Sequence, residues 1–233
     1  MAKKYKSYLD QIEGRLISLD TETTGFNPEE PTDLERKKGK LKDKIVEIGC
    51  IEIVDGVRGE SFHKYINPER SIPQDATEIH GITDEDVESE SKFYQIAEQF
   101  IEFVSGSTVV IHNASFDTNF IDHELAHASR KLDKDLGKLS DYCTIVDSLA
   151  LSRKLNTGGK NTLDALAKKF SVDDSNRDLH GALIDSVILA DVYGALLDYQ
   201  KNHYSGAVEK PYEDEIEVKP LRLNKRPKTV FSI

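Results

Sequence analysis

The sequence predicts an α/β protein in which helices flank a mixed five-stranded sheet. Two observations carry that prediction. Three runs rich in β-branched residues follow one another at short spacing, and beyond about residue 90 the apolar period changes from two to helical, with strands and helices alternating. Successive strands imply an antiparallel meander, and the alternation adds strands to the same sheet while covering it with helices.

The elements follow in order. Strands are expected over Arg15–Asp20 (RLISLD), Lys44–Val54 (KIVEIGCIEIV) and Gly59–Asn67 (GESFHKYIN). From Ser91 to Val104, Phe93, Ile96, Ala97, Phe100, Ile101 and Val104 share one helical face. Thr108–His112 (TVVIH) reads as a short buried strand, Ser115–Ala128 as a helix and Tyr142–Val146 as the fifth strand. Asn161–Phe170 forms a helix with Asn161 as its cap. A long helix runs from about Gly181 to Tyr199 and carries Leu183, Ile184, Val187, Ile188, Val192 and Leu196. These elements make one domain over residues 1–199. Residues 200–233 read as a tail, extended or partly disordered, acidic over 209–217 and basic over 219–228.

A length of 233 residues suits one domain plus a tail and a core that needs no disulfides. The 31 Lys and Arg against 42 Asp and Glu give a formal charge of −11. That balance excludes a protein held to nucleic acid by bulk positive charge and a basic membrane-surface module. It leaves room for a nuclease, whose metal-binding carboxylates belong to the acidic count. Exchanging the nine Tyr in the 38% hydrophobic share for the fourteen Gly gives about 40%, under the globular average of roughly 45–50%, so the shortfall is assigned to exposed segments. No stretch approaches the ~20 apolar residues of a membrane span, and the start MAKKYKSYLDQIEGR lacks a signal-type apolar core. The expected location is cytoplasmic, with no membrane partner. Cys50 and Cys143, far apart and in apolar runs, are expected to be buried thiols.

Three short motifs carry the chemistry. In Leu19-Asp20-Thr21-Glu22-Thr23-Thr24-Gly25, Asp20 and Glu22 lie two apart on a strand and project from the same face. Two such carboxylates raise each other's pKa unless a cation sits between them. In His112-Asn113-Ala114-Ser115-Phe116-Asp117, a buried strand gives way to a helix and Asp117 falls in its first turn, where a carboxylate also suits the helix dipole alone. In Leu179-His180-Gly181-Ala182-Leu183-Ile184-Asp185, His180 and Asp185 are five apart, which on a helix separates them by about 140°. They share a site only if His180 lies off the helix, a departure Gly181 permits. Each motif is unspecific by itself. Together they bring four carboxylates and a histidine, the set that two-metal phosphodiester cleavage requires; a histidine titrates in the range that suits a base at neutral pH.

The series LDTETTG, HNASFD and LHGALIDS resembles the three motifs of the DEDDh (DnaQ-like) 3′→5′ exonuclease family, in its proofreading branch. The likeness extends to IVEIG (Ile45–Gly49), INPER (Ile66–Arg70), IHGIT (Ile79–Thr83), Val146–Ala150 and NTLDAL (Asn161–Leu166), and covers roughly residues 14–199. It implies a ribonuclease H-like fold. It also implies that Asp20, Glu22, Asp117 and Asp185 bind two divalent cations, Mg²⁺ or Mn²⁺, and that His180 is the general base. Thr23, His80, Asn113 and Phe116 would line the pocket for the terminal nucleotide, together with Asp20, Glu22 and Asp185. Asp75 would stand where the family pattern carries a Glu, one methylene longer.

The resemblance further implies the substrate and partners: a single-stranded or frayed 3′ end of DNA, a DNA polymerase III alpha-type subunit bound through the tail, and a small accessory subunit. Contact with a sliding clamp is not implied, because the tail lacks the Gln-rich pattern that clamp binding uses. The products would be nucleoside 5′-monophosphates. RNA trimming by the same residues is the first rival reading, and a non-catalytic polymerase scaffold the second; the intact carboxylate set argues against a scaffold. The loop Arg36–Lys44, with six positive charges and one negative, reads as a solvated charge run in preference to a guide for a DNA strand. Gly158-Gly159-Lys160-Asn161 is not a phosphate loop, since Asn161 occupies the place of the required Ser or Thr.

Overall fold

The computed structural model describes residues 7–29, 31–33, 37, 41–155, 159–175 and 180–204. The strands are β1 (Arg15–Thr23), β2 (Ile45–Val54), β3 (Val57–Tyr65), β4 (Thr108–Ile111) and β5 (Thr144–Asp147). The helices are α1 (Gln74–His80), α2 (Asp84–Val87), α3 (Phe93–Val104), α4 (Ala114–Leu132), α5 (Ser148–Lys154), α6 (Leu163–Phe170) and α7 (Ala182–Tyr204). The sheet order is β3-β2-β1-β4-β5; β1 and β2 pair antiparallel, as do β2 and β3, while β4 adds parallel to β1 and β5 parallel to β4. This is the expected mixed sheet.

Alternation along β1 divides the molecule into two cores. Ile17 and Leu19 join α3 and α4 around Phe93, Phe100, Phe120 and Leu125 on one face. Leu16 joins Ile51, Ile53 and Val110 against α6 and α7 on the other, where Leu166, Ile188, Leu189 and Val192 are buried. β1 and β2 are central and apolar on both faces, which explains their near-continuous burial; β3 is an edge strand and largely exposed. Asp191 in α7 anchors the N-terminal segment, accepting from the Ser7 hydroxyl (2.8 Å) and from Arg58 Nη2 (2.6 Å).

Several sequence expectations need correction. The α6 cap is Thr162, whose hydroxyl accepts from the Ala165 N–H (3.3 Å), and Asn161 precedes it. The long helix continues five residues past Tyr199, to Tyr204. Helices α1, α2 and α5, which periodicity did not predict, are 7, 4 and 7 residues long, too short for two helical turns of pattern. Their signals are caps: Gly81 in the left-handed region (φ 77°) closes α1, Thr83 and Asp86 form a reciprocal box at α2, and Asp147 accepts from Leu149 and Ala150 N–H at α5.

The basic loop is not simply a solvated charge run. Lys44 Nζ lies 3.0 Å from Glu124 of α4, with both side chains largely withdrawn from solvent. Asp43 binds Arg70 Nη1 (2.8 Å), the Asn27 N–H (3.0 Å) and the Thr24 hydroxyl (3.2 Å), stapling the loop's end to the turn after β1. Residues 36 and 38–40 of that loop, and the tail from 205 onward, lie outside the described residues. Cys50 is fully buried and Cys143 only half-buried. Burial pushes the Cys50 thiol well up and the Cys143 thiol to about 12, so both are protonated at neutral pH.

Candidate active site

The acidic residues gather where β1 ends. Asp20 and Glu22 share the face turned toward α7, and in the antiparallel register they stand opposite Gly49 and Glu47 of β2. Thr21, between them, points to the other face, where its hydroxyl donates to Asp117 Oδ1 (2.7 Å). Asp117 is thereby tied to β1 from the first turn of α4. The junction before α4 is sharp. Asn113 adopts the left-handed conformation (φ 70°), which Asn tolerates better than most residues, and its N–H reaches Asp147 Oδ1 (3.2 Å).

His180 precedes α7 and is not helical. That placement folds its ring back toward the first turn of the helix, with Nδ1 3.1 Å from Asp185 Oδ2. His180 is exposed and Asp185 buried. Glu22, His180 and Asp185 each offer a ligand atom within 4.8 Å of the others. Asp20 lines the same groove as His180 and Asp185.

These residues fit a divalent cation. Burial is the main cause that pushes the Asp117 carboxyl up to about 7; Asp147 adds to the rise, and the Thr21 hydroxyl opposes it. A carboxyl so placed holds its proton more readily than a free one, and positive charge beside it would favour the anion. Hard cations take oxygen ligands of this kind.

Two hollows flank the carboxylates. The first, about 520 Å³, is lined by Glu22, Thr23, Phe26, Asp75, His80 and Phe116, among others. His80 is buried; its Nδ1 accepts from the Ile82 N–H (3.0 Å), which leaves the proton on Nε2. Nε2 is itself buried beside the Thr23 backbone with no hydrogen bond of good geometry, and burial lowers the ring's pKa, so the ring is neutral. Phe116 meets the exposed Phe26 edge-on with centroids 6.3 Å apart, giving the hollow an aromatic wall. Asp75 is exposed on α1 and accepts only from the adjacent Ala76 N–H among the bonds described (3.1 Å). The second hollow, about 680 Å³, contains Asn113 with Asp20, His180 and Asp185, and adds Arg153, Lys160 and Asp164. Asn113 thus lines the second hollow, while Thr23, His80 and Phe116 line the first.

Residues that sequence reasoning missed include Phe26, Arg153 and Lys160 on the walls, and His112, whose ring lies 2.9 Å from both the Ser148 hydroxyl and the Asn161 carbonyl. In the sequence Lys160 stands out only as part of Gly158-Gly159-Lys160-Asn161, which is not a phosphate loop.

Known proteins resemble this chain in sequence and in fold. A family model described as an exonuclease matches residues 17–193. The DNA polymerase III subunit epsilon of Rickettsia typhi is 39% identical over 218 residues, 93% of this chain and 88% of that protein. The corresponding subunit of Escherichia coli is 41% identical over 185 residues, 78% of this chain and 71% of that protein. Among solved structures, Exonuclease X in complex with 5′ overhanging duplex DNA aligns with TM-score 0.53 and 26% identity, covering 83% of this chain and 93% of that one. The nuclease domain of 3′hExo, a DEDDh family member bound to rAMP, shares the fold with TM-score 0.61 at 15% identity, covering 79% and 92%.

Proposed function

The chain belongs to the DEDDh (DnaQ-like) family of 3′→5′ exonucleases, and from that membership we propose a proofreading enzyme that removes nucleoside 5′-monophosphates from a single-stranded or frayed 3′ end of DNA. The observation that carries the reading is the convergence of Asp20, Glu22, His180 and Asp185 at one end of the sheet, with Asp117 tied to Thr21.

Asp20, Glu22, Asp117 and Asp185 would hold the cations. When bound, two divalent cations, Mg²⁺ or Mn²⁺, would supply Lewis-acid stabilisation of the negative charge that develops in phosphodiester cleavage. The terminal nucleotide enters the hollow of Thr23, Asp75, His80 and Phe116, where an aromatic face meets it. His180, oriented through Nδ1 by Asp185, presents Nε2 to the attacking water and takes its proton. The bond between phosphorus and the penultimate 3′ oxygen breaks in line. The strand upstream of that bond follows the second hollow, past Asn113, Arg153 and Lys160.

A mispaired end frays at lower cost and so reaches this site more often, which is how proofreading gains selectivity. The cytoplasmic setting, an alpha-type polymerase subunit and a small accessory subunit complete the proposal; among the described residues no helix is long and apolar enough to cross a membrane. Residues beyond Tyr204 would supply the polymerase contact. Truncation there should leave digestion of free oligonucleotides intact and abolish binding to the polymerase subunit; undiminished binding would remove the tail from the account.

The site assignment is tested by substitution. Asp20→Ala and Asp185→Ala should each lower metal-dependent digestion by at least about 1,000-fold while circular dichroism stays native, and His180→Ala should lower the rate strongly with metal binding retained. Substantial turnover in either Asp variant would refute the assignment.

A further inference from the structure

Glu47 is a buried carboxylate that metal binding does not claim. It sits in β2 directly opposite Glu22, with its side chain on the face turned to α7. Both of its oxygens are engaged. Oε2 accepts the Ala182 N–H (3.0 Å), the first residue of α7, and Oε1 lies 2.7 Å from His63 Nε2 of β3. Two residues along, Gly49 stands opposite Asp20, and a Cβ there would overlap the backbone of Ala182 and Leu183. The pair Glu47 and Gly49 thus repeats on β2 the two-residue spacing of Glu22 and Asp20 on β1. One pair carries the cation ligands, and the other receives the helix that brings His180 and Asp185.

From this arrangement we infer that Glu47 is a positioning residue for catalysis: by accepting the Ala182 N–H it fixes the start of α7, and with it His180 and Asp185, against Asp20 and Glu22. The inference rests on the exonuclease reading of those residues. His180 is joined to α7 through Gly181 and through the 3.1 Å contact of its ring with Asp185, and its own N–H reaches the Ile79 carbonyl at 3.3 Å, a long bond; the 3.0 Å bond from Ala182 to Glu47 ties the start of the helix itself to the sheet. The first-turn amides of a helix lack intrahelical acceptors, and a buried one left open costs free energy. Without Glu47 the turn must shift or admit water. A displacement near 1 Å at a reacting group lowers turnover on the order of 100-fold.

Reach and charge make opposite demands, which makes the idea testable. Gln keeps the length and an oxygen for Ala182, and its amide N–H can donate to the unprotonated His63 nitrogen, while the charge is lost. Asp keeps the charge and falls one methylene short. We therefore expect Glu47→Gln to digest an oligonucleotide within about 3-fold of the parent. Glu47→Asp and Glu47→Ala should lose roughly 30- to 100-fold in kcat with KM little changed. Amide hydrogen exchange supplies a reading independent of turnover: the Ala182 amide should exchange faster in the Asp and Ala variants and at the parental rate in the Gln variant. If the Ala variant does not fold, the comparison of Gln with Asp decides alone. An Asp variant as active as the parent beside an impaired Gln variant would overturn the inference in favour of charge; parental turnover in all three would overturn it outright. A parent that digests no DNA would instead fail the exonuclease reading, a distinct result.

Discussion

His180 shows how a single residue's conformation decides a site. On a continuous helix it would point about 140° away from Asp185; one residue outside the helix, it lies 3.1 Å from that carboxylate. The five-residue spacing and Gly181 made this legible in sequence, because only an off-helix histidine reconciles them. Asp20 and Glu22 were legible for a simpler reason, the period of a strand. Glu47 was not, since a carboxylate in an apolar strand carries no mark of the amide it will accept. Nor was the position of Asn113, whose left-handed backbone turns it into the second hollow. In that hollow Arg153 and Lys160 are exposed cations beside an otherwise acidic site. Converting both to Ala should raise KM for an oligonucleotide about 10-fold and flatten its salt dependence by roughly one to two phosphate contacts. Hydrolysis of a thymidine 5′-phosphate aryl ester, which has no upstream phosphate, should be unchanged; an equal loss on both substrates would place these side chains elsewhere in the mechanism.

At the scale of elements, the five strands and the three long helices follow from apolar period, with ends displaced by a few residues. The misses share a cause. Helices α1, α2 and α5 are defined by their caps, and a pattern of one turn holds no period to read. The Lys44–Glu124 pair was hidden for another reason: in a run of six cations, nothing local tells which one turns inward. α7 packs closely on β2 beside the site, and Gly49 permits it, since a Cβ there would overlap the Ala182 and Leu183 backbone. Gly49→Ala should therefore destabilise the protein by at least about 2 kcal/mol in denaturant titration, well beyond a surface substitution. A neutral result would mean that α7 lies farther from the sheet than described.

For the whole molecule, the charge of −11 acquires a structure. Four of its carboxylates are Asp20, Glu22, Asp117 and Asp185, whose charge two divalent cations would offset, and Arg153 and Lys160 stand beside them. With little bulk attraction, free affinity for DNA should be weak, and association with a polymerase would raise the effective concentration. The central claim is that one metal-dependent site trims frayed 3′ ends of DNA. Its most direct measurement follows digestion of 3′-mismatched DNA, paired DNA and RNA of the same sequence, each with Mg²⁺, with Mn²⁺ and with chelator. Mismatched DNA should be shortened fastest, paired DNA several-fold more slowly, RNA slowest, and none with chelator; RNA degraded faster than mismatched DNA, or digestion that survives the chelator, would contradict it.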